Sequence, residues 1–317
     1  MNSLSIKYFL TLAKERNFTK AAERLYITQQ TLSAHIAALE KETGGPLFLR
    51  HVPLELTGAG EVFYRYARLF AENETNLERE LSEAHRNLSG TLRIGVAPAR
   101  GKLLLPSVID KYRRKFPHIR IRLIEDANDI LARKLEEREL DLAIIRMNRK
   151  AAGMERIPFY EEEIVLLAPE ELLTRMYGKK KQKRISEAES GKKGWLENFR
   201  DCPVLLNGRM DIVGGVVRSL YKNAGFEPQV AVESENLETL LALCVKGDGL
   251  LFCVRNLAEF LLSPADREKV RVIPLPREKK HVISFIYEKR AHRWSMVDEF
   301  ISLAQKEIHG RIEDKKV

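Results

Sequence analysis

The sequence predicts an α/β chain in three parts: a helical N-terminal module ending in a small hairpin, one long linker helix, and a two-lobed domain of alternating strands and helices. Three observations carry this. Within "FTKAAERLYITQQTLSAHIAALE" two helical spacings meet at an abrupt corner with almost nothing between them. Residues 60–88 contain no proline and no further glycine, and apolar residues recur there every three or four positions. From residue 90 onward short apolar strands alternate with helical patterns, in two successive sets.

The bulk properties set the class. With 317 residues, 44% hydrophobic and 31% charged, the chain can bury a sizeable core and form two or three domains. The start alternates polar and apolar residues, and no segment approaches the ~20 apolar residues of a membrane span, so a cytoplasmic protein without a membrane partner is expected. Three scattered cysteines, Cys202, Cys244 and Cys253, suit neither a disulfide framework nor a zinc site. The net charge of +9 invites a nucleic-acid reading. Through Leu88, however, acidic and basic residues balance, so the excess lies downstream. A DNA-binding N-terminus would therefore work by geometry and a few placed cations.

The elements of the N-terminal module follow in order. Leu4, Tyr8 and Leu12, with Phe9 and Ala13, mark a first helix ending near "ERNF". Thr19 is the N-cap candidate of a short second helix with Ala21, Ala22 and Leu25 on its apolar face. Thr28 caps the third, whose buried face is Leu32, Ile36 and Leu39. Ala22 leaves room for a close crossing, and the pair reads as a helix-turn-helix. Stepping ~100° per residue, the outward positions of the third helix are Gln30, Ser33, Ala34, Ala37 and Lys41, with Gln29 and Thr31 on the exposed leading turn. Amides and hydroxyls suit base edges, and a helix N-terminus suits phosphate. Thr28, Gln29, Gln30, Thr31 and Ser33 are thus the expected DNA contacts. Leu47 and Phe48 read as core plugs; residues 50–57 read as a two-stranded wing bent at Pro53, with Arg50 its natural phosphate or minor-groove contact.

The run "AAERLYITQQTLSAHIAALEKETGGPLFLRHVPLELTGAG" resembles the N-terminal signature of LysR-type transcriptional regulators over roughly the first sixty residues. Two positions depart from the family: Gln30 stands where it very often has proline, and Ala34 where it often has a basic residue. The resemblance implies a regulator that binds double-stranded DNA, with RNA polymerase as a candidate further partner.

In the linker, Phe63, Tyr66, Phe70, Asn73, Leu77, Leu81, Ala84 and Leu88 form a coiled-coil stripe on a helix about 40 Å long. Asn73 is a polar seam residue of the kind that sets register. Such a helix pairs two modules on a two-fold DNA site. The resemblance implies the same homodimer and its assembly into a homotetramer.

"SGTLRIGVAPARGKLLLPSVIDKYRRKFPHIRIRLIED" and "ANDILARKLEERELDLAIIR" give strand, helix, strand, helix, strand; a second set starts near "EIVLLA" and runs to "GLLFCV". "HVISFIYE" and a final helix at 294–308 return to the first lobe. This region resembles, through "GTLRIG", "ELDLAI" and "CVKGDGLLF", the effector-binding domain of the same regulators, itself similar to periplasmic solute-binding proteins. The expected division is 1–58 for the winged helix-turn-helix, 59–89 for the linker, and 90–310 for the effector domain. Its first lobe takes 90–162 and 269–310, its second 163–268.

Ligands of open α/β sheets sit beyond the carboxyl ends of strands, near helix N-termini. That rule selects Ala99, Arg100, Gly101, Asn128, Arg146, Leu206 and Asn207 as effector contacts. Arg146, a guanidinium ending an apolar strand, suits a carboxylate, so an organic acid or other anion is the expected effector. "KKKQKR", 179–184, reads as a solvated, mobile loop. Cysteine redox sensing, known among related regulators, is not expected, for want of a second cysteine beside Cys202.

Two other classes remain in view. A cytoplasmic solute-binding protein explains two lobes but leaves the first ninety residues without a role. An enzyme would need a catalytic grouping, a metal-ligand cluster or a phosphate-cradling glycine motif, and none is apparent, so neither catalysis nor a cofactor or metal is expected.

Overall fold

The computed structural model describes residues 2–51, 53–85, 88–147, 153–190, 194–208, 211–275, 280–289 and 294–313. It divides into two compact units, Met1–Ser89 and Gly90–Val317. Among the described residues no helix is long and apolar enough to cross a membrane.

In the first unit, α1 (Ser3–Glu15) is capped by Asn2, which accepts from the Ser5 amide, and buries Ile6, Tyr8, Phe9 and Leu12. Leu4, expected in that stripe, is exposed, because the buried arc runs through Ile6 and Phe9 instead. The second helix, α2 (Phe18–Leu25), starts two residues earlier than Thr19 would allow: the Asn17 side chain accepts from the Lys20 amide at 3.0 Å and is the cap. α3 (Gln29–Glu42) is capped by Thr28, whose hydroxyl accepts from the Thr31 amide at 3.1 Å, and it buries Leu32, Ile36 and Leu39. β1 (Phe48–Leu49) pairs antiparallel with β2 (Glu55–Leu56). This wing is shorter than 50–57 and begins at Phe48, whose side chain plugs the core while its backbone starts the strand.

α4 (Gly58–Ala84) leaves the wing through Thr57, whose hydroxyl accepts from the Gly60 amide at 2.9 Å and donates to the Pro46 carbonyl at 2.8 Å. Gly60 is required there: a Cβ would stand 2.0 Å from the Leu47 carbonyl oxygen. The helix stops at Ala84, short of Leu88, and the chain then turns so that the Ser89 amide donates to Ser82 Oγ at 2.9 Å.

The second unit contains two five-stranded sheets. Its first half runs β3 (Gly90–Val96), α5 (Pro98–Lys115), β4 (Ile119–Glu125), α6 (Asn128–Glu136), β5 (Leu142–Ile145) and β6 (Met154–Glu162). β3 lies parallel to β4 and β5. "ELDLAI" owes its aspartate to this pairing, because Asp141 receives three bonds from Arg93: one from its amide and two from its guanidinium. Gly95 lets α6 and the chain after it approach: a Cβ would stand 3.0 Å from Leu131 Cδ2 on α6 and 2.6 Å from Leu140 Cδ1.

After Glu163 the chain enters the second sheet with β7 (Ile164–Pro169), α7 (Glu170–Tyr177) and α8 (Lys181–Glu189). The run 179–184 is therefore helical, with a 3-10 turn leading into α8, rather than a solvated loop. Ile185 and Ala188 bury one face. The cations are put to use: Lys181 pairs with Glu170 at 3.1 Å, and Arg184 stacks over Tyr177 and donates to the Asn198 carbonyl. β8 (Pro203–Asn207), α9 (Ile212–Ala224), β9 (Gln229–Ser234), α10 (Leu237–Val245) and β10 (Leu250–Val254) follow, β8 lying parallel to both β9 and β10. α11 (Arg255–Leu261) and α12 (Pro264–Arg267) lead to β11 (Val270–Pro274), which pairs antiparallel with β7. The return to the first lobe thus comes after Pro274, not at 269, because β11 completes the second sheet. β12 (His281–Glu288) then joins the first sheet between β5 and β6, and α13 (Ser295–Glu313) packs on α5.

Candidate nucleic-acid interface and effector cavity

The corner that joins α2 to α3 is made by Tyr26 and Ile27. Tyr26 adopts the left-handed conformation at φ 57, its amide bonding the Glu23 carbonyl while the Ile27 amide bonds the Ala22 carbonyl. A non-glycine residue there costs about 1 kcal/mol. Its ring, almost wholly in solvent at 96% exposure, recovers none of that by burial. Next to it, Thr28, Gln29, Gln30 and Thr31 are exposed and Ser33 is half-buried. Among the described residues Gln29, Gln30 and Ser33 have no side-chain hydrogen-bond partner, so their polar groups are uncommitted. Arg50 is engaged: its guanidinium donates to Glu40 at 3.0 Å, and the other Glu40 oxygen accepts from the Leu47 and Phe48 amides. Glu40 thereby splints the end of α3 to the wing. The Arg50 pair is itself exposed, of the kind worth at most ~1 kcal/mol, and is open to exchange for a phosphate.

In the second unit a cavity of about 590 Å³ opens where elements of both sheets converge. Ala99, Arg100, Asn128 and Asn207 line it, as does Ala97. Three expected contacts do not. Leu206 packs into the core beside Val213 and Val217, since alternation along β8 sends it to the face opposite Asn207. The open side of Gly101 faces Val96 and Glu125. Arg146 is absent from the lining; its backbone amide approaches Asn128 Oδ1 at 3.4 Å.

The floor is a buried ion pair. Arg100 Nε and Nη2 each donate to Glu162 at 2.9 Å, and the Tyr160 hydroxyl donates to Glu162 Oε1 at 2.7 Å. Burial alone would weaken the Arg100 charge, but the Glu162 carboxylate reverses this and holds its pKa above the ordinary value. Burial pushes the Tyr160 hydroxyl up as well. Among the buried polar atoms of the lining without a hydrogen-bond partner are Arg100 Nη1 and Asn207 Oδ1. At the mouth, Lys102 on α5 and Glu238 on α10 form an exposed pair at 2.8 Å.

Sequence reasoning missed Glu162, Asp211, Glu235, Glu238 and His281 in the lining. Glu162 had a signal, a run of carboxylates closing the strand "IPFYEEE" where the chain crosses between sheets. It missed Tyr26 too, whose mark was an aromatic standing alone at the corner.

All three cysteines are buried. Burial raises each thiol pKa, that of Cys244 to about 12. Cys202 lies 3.1 Å from the Tyr177 hydroxyl, and Cys253 borders the cavity without exposing surface. Native protein should therefore react with Ellman's reagent at least about a hundredfold more slowly than the urea-unfolded chain, because the thiols must first be opened to solvent. Fast labelling of one thiol in the native state would contradict this burial.

A helix-turn-helix with an uncommitted polar recognition face, carried in one chain with a two-lobed α/β domain that encloses a polar cavity, defines a ligand-responsive DNA-binding regulator. Two family models match: bacterial regulatory helix-turn-helix protein, lysR family, over residues 4–61, and LysR substrate binding domain over residues 85–308. The chain belongs to the LysR family of transcriptional regulators. It is similar to the hydrogen peroxide-inducible genes activator of Pectobacterium carotovorum subsp. carotovorum, with 26% identity over 317 residues and 99% of each chain covered. The uncharacterised HTH-type regulator YcgK of Bacillus subtilis (strain 168) is 27% identical over 250 residues, 77% of each chain. Among solved structures, full-length CbnR complexed with its target DNA shares the fold, with a TM-score of 0.60 and 22% identity over 97% of this chain and 100% of that one.

Proposed function

We propose that the protein is a cytoplasmic regulator that reads an operator with α3 and changes its DNA-bound assembly when a small molecule fills the cavity. The carrying observation is the leading turn of α3: three polar side chains without internal partners, on a helix end whose free amides favour phosphate. Gln29, Gln30 and Ser33 meet base edges, while Thr28, Thr31, Arg50 and the exposed hydroxyl of Tyr26 meet the backbone. In this reading 1–58 is the DNA module, 59–89 the linker and 90–310 the effector domain. CbnR, solved with its target DNA, supports the DNA partner by fold.

The linker pairs two chains. Tyr66, Phe70, Leu77 and Leu81 are all exposed on α4, an apolar stripe the unit itself does not cover. Two modules on one two-fold site follow, and assembly of two dimers into a tetramer is the next level, with RNA polymerase as a further partner. The effector reading rests on the cavity and its unpartnered buried atoms. The organic-acid reading rested on Arg146, which the lining does not include.

Replacing Gln29 and Ser33 with alanine should lower operator affinity by about 10–100-fold and leave nonspecific DNA binding unchanged, as measured by gel shift with operator and scrambled fragments. An intact operator footprint in the double variant would sink the assignment of α3.

A further inference from the structure

Four helices present their N-termini around the cavity: α5 and α6 from the first sheet's side, α9 and α10 from the second's. Helix N-termini attract anions, and this is the usual argument for an acidic ligand. Here the protein has filled them with its own carboxylates. Glu125 Oε1 lies 3.1 Å from where a Cβ on Gly101 would stand, in the first turn of α5. Asp129 sits in the first turn of α6. Asp211 accepts from the Val213 and Gly214 amides at the start of α9, and Glu238 occupies the first turn of α10.

The charges of the lining point the same way. Arg100 and Lys102 are its only lysine or arginine side chains among the described residues, and each already faces a carboxylate, Glu162 and Glu238. Glu125, Asp211 and Glu235 line the cavity with no cation paired to them among the described residues. An organic anion entering this space would meet three carboxylates that no lysine or arginine side chain is bonded to among the described residues, Asp211 alone lying within the field of Arg100.

An acidic lining alone would be ordinary surface chemistry. The second observation lies deeper, on two side chains each more than nine-tenths buried. Asn207 Oδ1 is an acceptor with no donor, and Arg100 Nη1 is a donor with no acceptor. Leaving such buried atoms unpartnered costs ~1–3 kcal/mol each, so a molecule that supplies both partners is favoured here. Because Glu162 already offsets the Arg100 charge, a neutral acceptor completes Nη1 without bringing a further negative charge beside Glu162 and Asp211.

We propose that the cavity binds a small organic cation: a primary ammonium compound that also carries a neutral oxygen acceptor. The ammonium donates to Asn207 Oδ1 within the field of Asp211, and the hydroxyl or carbonyl oxygen accepts from Arg100 Nη1. A volume of about 590 Å³ is in the range of small-molecule sites. This inference rests on reading the cavity as the effector site.

The test is titration calorimetry of the full-length protein at fixed pH and ionic strength with ethanolamine, 4-aminobutan-1-ol and lysinamide, against acetate, succinate and benzoate. At least one amine should bind. Asp211→Asn should weaken it by about tenfold or more while preserving the α9 cap, since asparagine caps as well as aspartate. Asn207→Leu should weaken it also, with an unchanged melting profile of the free protein as the folding control. No heat from any amine, binding of an acid, or amine binding indifferent to both substitutions overturns the proposal. Gel shifts of the operator run alongside separate the two readings. An amine that binds but leaves the operator complex unchanged keeps the ligand class and removes the effector role. An acid that binds and alters that complex does the reverse.

Discussion

Glu162→Leu is expected to destabilise the effector domain by about 3–5 kcal/mol, read as a fall in the urea midpoint at unchanged slope. The cost is not lost attraction but the abandonment of Arg100, a guanidinium 5% exposed that would keep its charge with no bonded carboxylate. The Tyr160 hydroxyl loses its acceptor in the same stroke. Replacing the whole group, with Arg100→Met, Tyr160→Phe and Glu162→Leu together, should recover most of the loss, because an apolar cluster of similar volume carries no stranded polar atoms. An equally large loss in the triple variant would move the cause from charge to packing.

The second large effect belongs to the linker. Phe70→Asp together with Leu77→Asp should convert the dimer to monomer in sedimentation velocity and lower operator affinity by about 10²–10⁴-fold, the advantage that linking two modules confers. Both residues are exposed within the unit, at 45% and 58%, so the fold of each chain has little to lose from the change. A double variant that remained dimeric would show that another surface joins the chains.

The N-terminal module was largely legible because its signals are local. Thr28 as cap and Leu32, Ile36 and Leu39 as the buried face depend only on helical periodicity and on one hydroxyl three residues from its donor. Asn17 displaced Thr19 as cap because either side chain can cap, and the local signal alone does not decide between starts two residues apart. The strand "GLLFCV" also held, since a strand buried on both faces reads as a short apolar run. The cavity was half legible. A rule about strand ends finds backbone positions, and it found Ala99, Arg100, Asn128 and Asn207. It cannot say which way a side chain turns, and so it admitted Leu206 and Arg146. Glu162, Asp211 and Glu235 come from distant stretches of chain whose meeting is a property of the tertiary fold. The basic run at 179–184 misled for a related reason, in that composition records its charges but not the Tyr177, Glu170 and Asn198 partners that let it coil.

The junction at Thr57 and Gly60 has a mechanical meaning. A flexible tether would let the reading head swivel independently of the stalk, so that a twist applied far along α4 would dissipate before reaching the wing. Instead the Thr57 hydroxyl clamps the first turn of α4 to the carbonyl of Pro46, and the bare Cα of Gly60 rides against Leu47 with no room to slip. Head and stalk turn as one piece. In the proposed dimer, rotation of the paired stalks would be carried into the pitch and spacing at which the two heads present themselves to the double helix.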